Sequence, residues 1–384
     1  MRTAAIAIPV LLAVALLPAC GGDPFACERP YLQNVGATGA TILYATEEPT
    51  TFILEVEGPR GMRAAWASDR DAPRHEARVD GLAPGTRYRF RANVLGPKKP
   101  ETFEGELVTA PATGDRARLV RFAVLGDSGK TTGGNPFASD GRQAEVAARI
   151  LEQAPDLVLH TGDVVYDAGA WGEYAEGFFR PFAALIERVP LYPTIGNHDL
   201  KTEAGAPYFA AFAPPSSDLG GERHYSFDWG DIHFASLYNP DGRIAFDRRQ
   251  LEWLDRDLAA AASRRLRVVF GHVPVEGDTW LALRALLVRH RVRLLLAGHV
   301  HAYERWKPED GVHQVVTGGG GRSLIDADDF AERAARPRVA FASRRYHFVL
   351  VTVDALRGRV ELEAIDEGGA VFDRAEIDLA EGPG

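Results

Sequence analysis

Beyond residue 117 the sequence alternates short apolar runs with amphipathic stretches, and few architectures accommodate that rhythm. The apolar runs lie at 119–125, 157–161, 267–270 and 293–297; the amphipathic stretches lie at 139–153, 171–187, 245–262 and 279–290. Short apolar runs fit buried strands, and stretches with a helical apolar period fit helices that cover them. Their alternation predicts an α/β (α+β) region, with helices packed on a central sheet. A β-rich tail, 346–353 and then 360–364, is expected to close the sheet at an edge. Residues 203–223, rich in Ala, Pro, Ser and Gly, read as a surface loop near the site.

The preceding part obeys a different pattern. Segments 41–44, 51–56 and 88–92 are rich in β-branched and aromatic residues, and no helical period competes with them. Leu82-Ala83-Pro84-Gly85-Thr86-Arg87 leads directly into Tyr88, which resembles the tyrosine corner of fibronectin type III domains. An all-β N-terminal sandwich over 28–112 is therefore expected. The polar joint 109–116 separates it from a second domain over 117–384. Two such domains suit 384 residues that are 46% hydrophobic and 25% charged. A net charge of −9 argues against a nucleic-acid binder working by bulk charge. Two Cys, Cys20 and Cys27, exclude a disulfide framework or a Cys-rich zinc site.

Arg2 is the sole charge before an apolar run at 4–17, which is too short, and too broken by Pro9, to span a bilayer. Residues 1–19 read as a signal peptide. Leu17-Pro18-Ala19-Cys20 resembles a bacterial lipobox, which implies lipidation of Cys20 and a membrane anchor at the N-terminus alone. The alternative is an ordinary cleaved signal with Cys20 and Cys27 paired in an oxidising compartment. Either way the expectation is export, to the cell envelope, the periplasm or the medium. Oligomeric state is not legible.

Acidic and imidazole residues appear where the apolar runs end. In order they are Gly126-Asp127-Ser128-Gly129, Gly162-Asp163-Val164-Val165-Tyr166, Gly196-Asn197-His198-Asp199, Gly271-His272-Val273-Pro274 and Gly298-His299-Val300-His301. Ligands in open α/β sheets bind beyond the carboxyl ends of strands, so these five loops are expected to converge. Each motif alone is a common turn, but five in this order are specific. Gly129-Lys130-Thr131 is not a nucleotide-binding loop, because Val124 stands where that motif needs Gly. Gly318-Gly319-Gly320-Gly321 reads as a flexible turn.

The five loops, the sandwich before them and the run from His299 through Arg305 resemble the metallophosphoesterase superfamily, and within it the purple acid phosphatases. Tyr166, three residues after Asp163, carries the closer resemblance. The family implies layered β-sheets flanked by helices in the second domain, and that Asp127, Asp163, Tyr166 and His301 hold one metal. Asp163, Asn197, His272 and His299 would hold the other, with Asp163 bridging. It implies Fe(III) beside a divalent Zn, Fe or Mn, and acid-phosphatase hydrolysis of phosphate monoesters in small molecules by a metal-bound hydroxide. Cleavage of phosphodiesters or nucleotides at the same site is the alternative. His198 would meet the phosphate and protonate the leaving group, oriented by Asp199. Asp163 and Tyr166 would point the same way if their loop begins a helical turn.

Departures exist. The stretch from Val275 to Trp280, directly after Pro274, contains none of the additional His that some family members place there, so the leaving-group side of the pocket is expected to differ. Lys130, Arg243 and Arg305 read as surface charge, with a substrate anion as the alternative. His160 and His233 read as core residues, and His75, His224, His290, His313 and His347 have no legible partners.

Overall fold

The computed structural model describes Cys27 and residues 29–61, 63–68, 71–129, 141–217, 221–240 and 248–380. The expected signal peptide, Cys20, Lys130 and Arg243 lie outside the described residues.

The first strands form an all-β sandwich with 19-residue strand Gly39–Glu57 at its centre. Segments 41–44 and 51–56 are thus one strand. Its first half pairs with Ala72–Asp80 and its second with Arg87–Leu95, and the register breaks between Ala45 and Thr50. Such a break bends a strand and lets it serve two sheets. The Tyr88 hydroxyl accepts the backbone N–H of Ala83 at 2.7 Å, as the tyrosine corner requires.

The α/β region resolves into two layered sheets flanked by helices, the arrangement the resemblance implied. One has the strand order Val371–Asp378, Arg359–Asp366, His347–Asp354, Val120–Leu125, Leu157–His160, Leu191–Pro193. The strand at 347–354 therefore lies inside the sheet against Val120–Leu125, and the edge belongs to Val371–Asp378. The polar alternation of that last strand concealed it from the apolar-run reading.

The other sheet runs Tyr225–Trp229, Ile232–Ser236, Leu266–Phe270, Leu294–Ala297, His313–Thr317, Tyr303–Trp306, Val339–Ser343. The sheets share a core in which Phe122 meets Phe234 edge-on at 5.2 Å. Helices Arg248–Ala260 and Gly277–Arg289 cover the outer face of the second sheet. Trp253, Leu254, Leu258, Leu283 and Leu287 pack there on Ala235, Val269 and Leu295. Helices Gln143–Glu152 and Arg180–Ile186 contribute Val146, Ile150, Phe182 and Leu185 to the main core.

Two expectations fail on packing. Residues 206–211 form a helix whose Tyr208 and Ala211 are buried, so this stretch is not a surface loop. Its small residues permit close approach to the sandwich. Gly318–Gly321 is also buried: a Cβ at Gly318 would overlap Val300 O, and the Gly320 N–H donates to Gly126 O at 2.9 Å. It is a tight crossing, not a flexible turn.

The histidines left without partners acquire them by tertiary contact. His75 meets Thr50 at 2.9 Å, His224 Ser217 at 3.2 Å, His290 Asp255 at 2.5 Å and His347 Thr317 at 3.1 Å. His313 is partly buried, and burial, then Arg293 and Arg305, hold its pKa down to about 4. His160 is buried against Ser128 at 2.8 Å.

His233 is held between Asp228 and Asp257, each at 2.8 Å. Burial opposes its charge, but the two carboxylates outweigh burial and raise its pKa above the usual value. Its contribution to stability is therefore complete below the unfolded imidazole pKa of about 6.5 and drains away as pH rises through the folded value. Urea unfolding from about pH 6 to about pH 9 should show that decline, and His233→Gln should flatten it. A variant as pH-sensitive as the wild type over this range would contradict the assignment.

Candidate metal centre

Strand register brings the five loops to one level. Leu125 pairs in parallel with His160, His160 with Pro193, and Phe270 with Leu296, so the residues after each strand emerge side by side. Asp127, Asp163 and His299 each take positive φ, at 58°, 53° and 67°. Non-glycine residues rarely occupy this region, and its cost persists where surrounding structure enforces it. The reversal at Asp163 also replaces the helical turn expected between Asp163 and Tyr166.

All seven expected ligand side chains converge. The Tyr166 hydroxyl donates to Asp127 Oδ1 at 2.9 Å and lies 3.1 Å from His301 Nε2. His272 Nε2 stands 3.1 Å from Asn197 Oδ1, 3.3 Å from His299 Nδ1 and 3.4 Å from Asp163 Oδ2. Asp127, Asp163 and His272 are buried, with one ligand atom of each within 4.8 Å of the others, a grouping that can hold a metal ion. Asp163 joins the two subsets, since its charge acts on both His272 and Tyr166.

The electrostatics fit a cation. Burial, then Asp127 and Asp163, push the Tyr166 phenol well above its usual range. Burial would discharge His272, yet the Asp163 carboxylate outweighs it and raises the imidazole pKa to about 9. His299 is pulled below its ordinary value by burial and by His272. Two imidazole nitrogens 3.3 Å apart beside buried carboxylates form a donor set that a metal ion satisfies directly.

Outer contacts fix the rings. His272 Nδ1 lies 2.8 Å from Thr161 O and His301 Nδ1 2.7 Å from Ser323 O. Each Nδ1–H thus donates to a carbonyl and leaves Nε2 for the centre. His198 is partly buried; its backbone N–H donates to Asp163 Oδ1 at 2.8 Å, and its Nδ1 lies 2.7 Å from Asp167 O.

Asp199 does not orient that ring. It is buried, and its carboxylate accepts the backbone N–H groups of Val164 and Gly196 at 3.0 and 2.8 Å, clasping two of the loops. Burial and the nearby Asp163 charge push its pKa up to about 7. Arg305 is also not available to a substrate, because Asp373 holds it in a double hydrogen bond at 2.7 and 3.0 Å.

Two basic residues escaped the sequence reading. Arg322 lies over the Tyr166 ring, 4.8 Å from its centroid, and donates to Asp167 Oδ1 at 2.8 Å. Lys201 Nζ stands 2.8 Å from His198 Nδ1 and 3.0 Å from Asp167 O. Arg322 had one signal, its position directly after the glycine run. Lys201 had none.

Residues 120–303 match the model of the calcineurin-like phosphoesterase family. Over that stretch the chain is similar to calcineurin-like phosphoesterases. It is 27% identical over 318 residues to purple acid phosphatase 23 of Arabidopsis thaliana, covering 66% of this chain and 64% of that one. It is 27% identical over 315 residues to purple acid phosphatase 15 of the same plant, covering 66% and 56%. The chain thus spans less than two thirds of these relatives' length. Among solved structures it superposes on the purple acid phosphatase PPD1 of yellow lupin with a TM-score of 0.72, at 20% identity, covering 91% of this chain and 74% of that one. That likeness establishes the fold: an all-β N-terminal region fitting a fibronectin type III-like domain, then an α/β metallophosphoesterase fold.

Close packing at Gly196 offers a test. A Cβ there would overlap both Asp163 Oδ1 and Asp163 N. Gly196→Ala should displace Asp163 and release bound metal, measurable by elemental analysis, while far-UV circular dichroism stays unchanged. Full metal content in that variant would show that Asp163 is not held by this contact.

Proposed function

We propose that the chain is a metal-dependent phosphatase that hydrolyses phosphate monoesters at a dinuclear centre. The observation that carries this reading is the convergence of Asp127, Asp163, Tyr166, Asn197, His272, His299 and His301 on one point, with Asp127, Asp163, Tyr166 and His272 buried. The names of its relatives, purple acid phosphatases, support the same class. Asp127, Tyr166 and His301 would hold one ion and Asn197, His272 and His299 the other, with Asp163 between them. Carboxylate and phenolate oxygens suit a hard Fe(III), whereas imidazoles with an amide oxygen suit Zn(II), Mn(II) or Fe(II). A bound pair supplies Lewis acidity to phosphoryl oxygens and lowers the pKa of water.

The protein's own part is positioning and proton handling. The raised pKa of Tyr166 means that only a strongly polarising cation would convert the phenol to phenolate. Until then the phenol keeps its proton and donates it in a hydrogen bond to Asp127 Oδ1. Asp167 O and Lys201 Nζ both lie against Nδ1 of His198, which leaves Nε2 to pass a proton to the leaving alcohol oxygen. Asp199 keeps the loops of Asp163 and Asn197 in step by holding Val164 and Gly196.

Asp163→Asn and His299→Ala should lose metal and drop turnover of a p-nitrophenyl monoester below about one hundredth of wild type. Tyr166→Phe should remove the visible tyrosinate-to-iron band. Wild-type activity in either ligand variant sinks the ligand set, and a colourless iron-loaded oxidised protein sinks Fe(III) at Tyr166. Faster turnover of the matching diester would replace this reading with a phosphodiesterase.

Export with Cys20 as a lipid anchor belongs to the same reading and rests on sequence outside the described residues. Within them, no helix is long and apolar enough to cross a membrane. Incorporation of labelled palmitate that Cys20→Ser leaves intact would refute the anchor.

A further inference from the structure

Strands Leu266–Phe270 and Leu294–Ala297 deliver His272 and His299 at their carboxyl ends. Their opposite ends open on a cavity of about 400 Å³ lined by Arg116, Arg264, Arg265, Arg267, Arg291 and Arg293. A chain of net charge −9 does not collect six guanidiniums in one hollow by composition alone. Arg267 and His272 are five residues apart along an extended run, about 16 Å, so an anion in this cavity would not reach the metal ligands.

Some of these arginines have structural work. Arg267 donates to Ala261 O and Ala262 O at 3.2 and 2.6 Å, tying down the chain that follows a helix. Arg293 donates to Gly311 O and Asp378 O. Arg116 pairs with Asp231 at 2.6 Å and Arg264 with Asp228 at 2.8 Å. Asp310, the remaining carboxylate among the described residues that line the cavity, is already held by Arg284.

A surplus of unsatisfied positive charge is left over. Among the described residues neither Arg265 nor Arg291 has a carboxylate partner, and the Nε atoms of Arg264 and Arg265 are enclosed without an acceptor. Burial, then the charge of Arg291, hold the Arg267 pKa below its usual value. Like charges crowded in this way are relieved by an anion with several oxygens, and guanidinium forks match phosphoryl oxygens two at a time. The volume lies within the range of small-molecule sites, and the number of guanidiniums exceeds what one phosphate group engages.

We propose that this cavity is a second anion site, independent of the metal centre, for a compact oligophosphate of two or three phosphoryl groups. It stands whether or not the metal centre acts on monoesters.

Methylenediphosphonate, whose P–C–P bridge resists hydrolysis, is the probe. Titrated calorimetrically at fixed ionic strength, it should bind both the metal-loaded protein and protein stripped of metal and freed of chelator. Arg265→Gln/Arg291→Gln should weaken the metal-independent binding about tenfold or more and leave p-nitrophenyl phosphate turnover unchanged. Arg291→Glu alone is the second variant, because this exposed side chain makes no hydrogen bond among the described residues, and it should give the same loss. Binding that disappears with the metals, that persists in both variants, or that sulfate abolishes at equal ionic strength overturns the proposal.

Discussion

Two carboxylates buried where the sheets meet dictate most of the surrounding structure. Asp127 and Asp163 are 0% and 2% exposed. Moving an isolated carboxylate into an apolar interior costs on the order of tens of kcal/mol, so both need compensation at short range. Among the described residues no Lys or Arg forms an ion pair with either. Asp127 accepts the His299 N–H at 2.7 Å and the Tyr166 hydroxyl, and Asp163 accepts the His198 N–H and adjoins His272. Compensation therefore falls to backbone amides, imidazoles and whatever cation the seven donors hold. Loops that supply amides must come very close. Hence the crossing at Gly196, the buried glycines at 318–321 and the Asp199 clasp all lie within the same small volume.

That proximity depends on register. Leu125 opposite His160, and Phe270 opposite Leu296, place four ligand-bearing loops at one height. A slip by one residue in any of these pairings would move an entire ligand loop by about 3.3 Å and turn its side chain to the other face. The apolar alternation of the chain and the geometry of its centre are thus two expressions of one constraint.

Much of this was legible before any coordinates. The apolar runs located the strands that carry ligands, because buried strands demand apolar residues on both faces. Tyr88 announced its corner through the turn before it. Short or polar-faced strands stayed hidden, as at Tyr303–Trp306 and Val371–Asp378, because their burial depends on partners distant in sequence. The same reason explains Asp199, read as a neighbour of His198 and found clasping Val164 and Gly196 instead. Arg305 looked like loose charge because Asp373, its partner, lies 68 residues away. Local pattern shows what an element is, and tertiary contact decides what its polar groups do.

The sandwich is joined to the α/β region by more than its linker. Tyr31 donates to Ala211 O at 2.7 Å, Gln33 Nε2 to Leu191 O at 3.3 Å, and Tyr192 returns a bond to Val35 O at 2.6 Å. The apolar core runs unbroken from Leu32 and Tyr31 to Leu191 and Phe212. Strand Leu191–Pro193, at that seam, pairs with the strand that ends in the Asp163 loop. Shuffling of domains between genes works when a module brings its own surface. Here the seam belongs to both partners, so a foreign sandwich would arrive with the wrong half of the joint, and the two parts must be inherited and altered together.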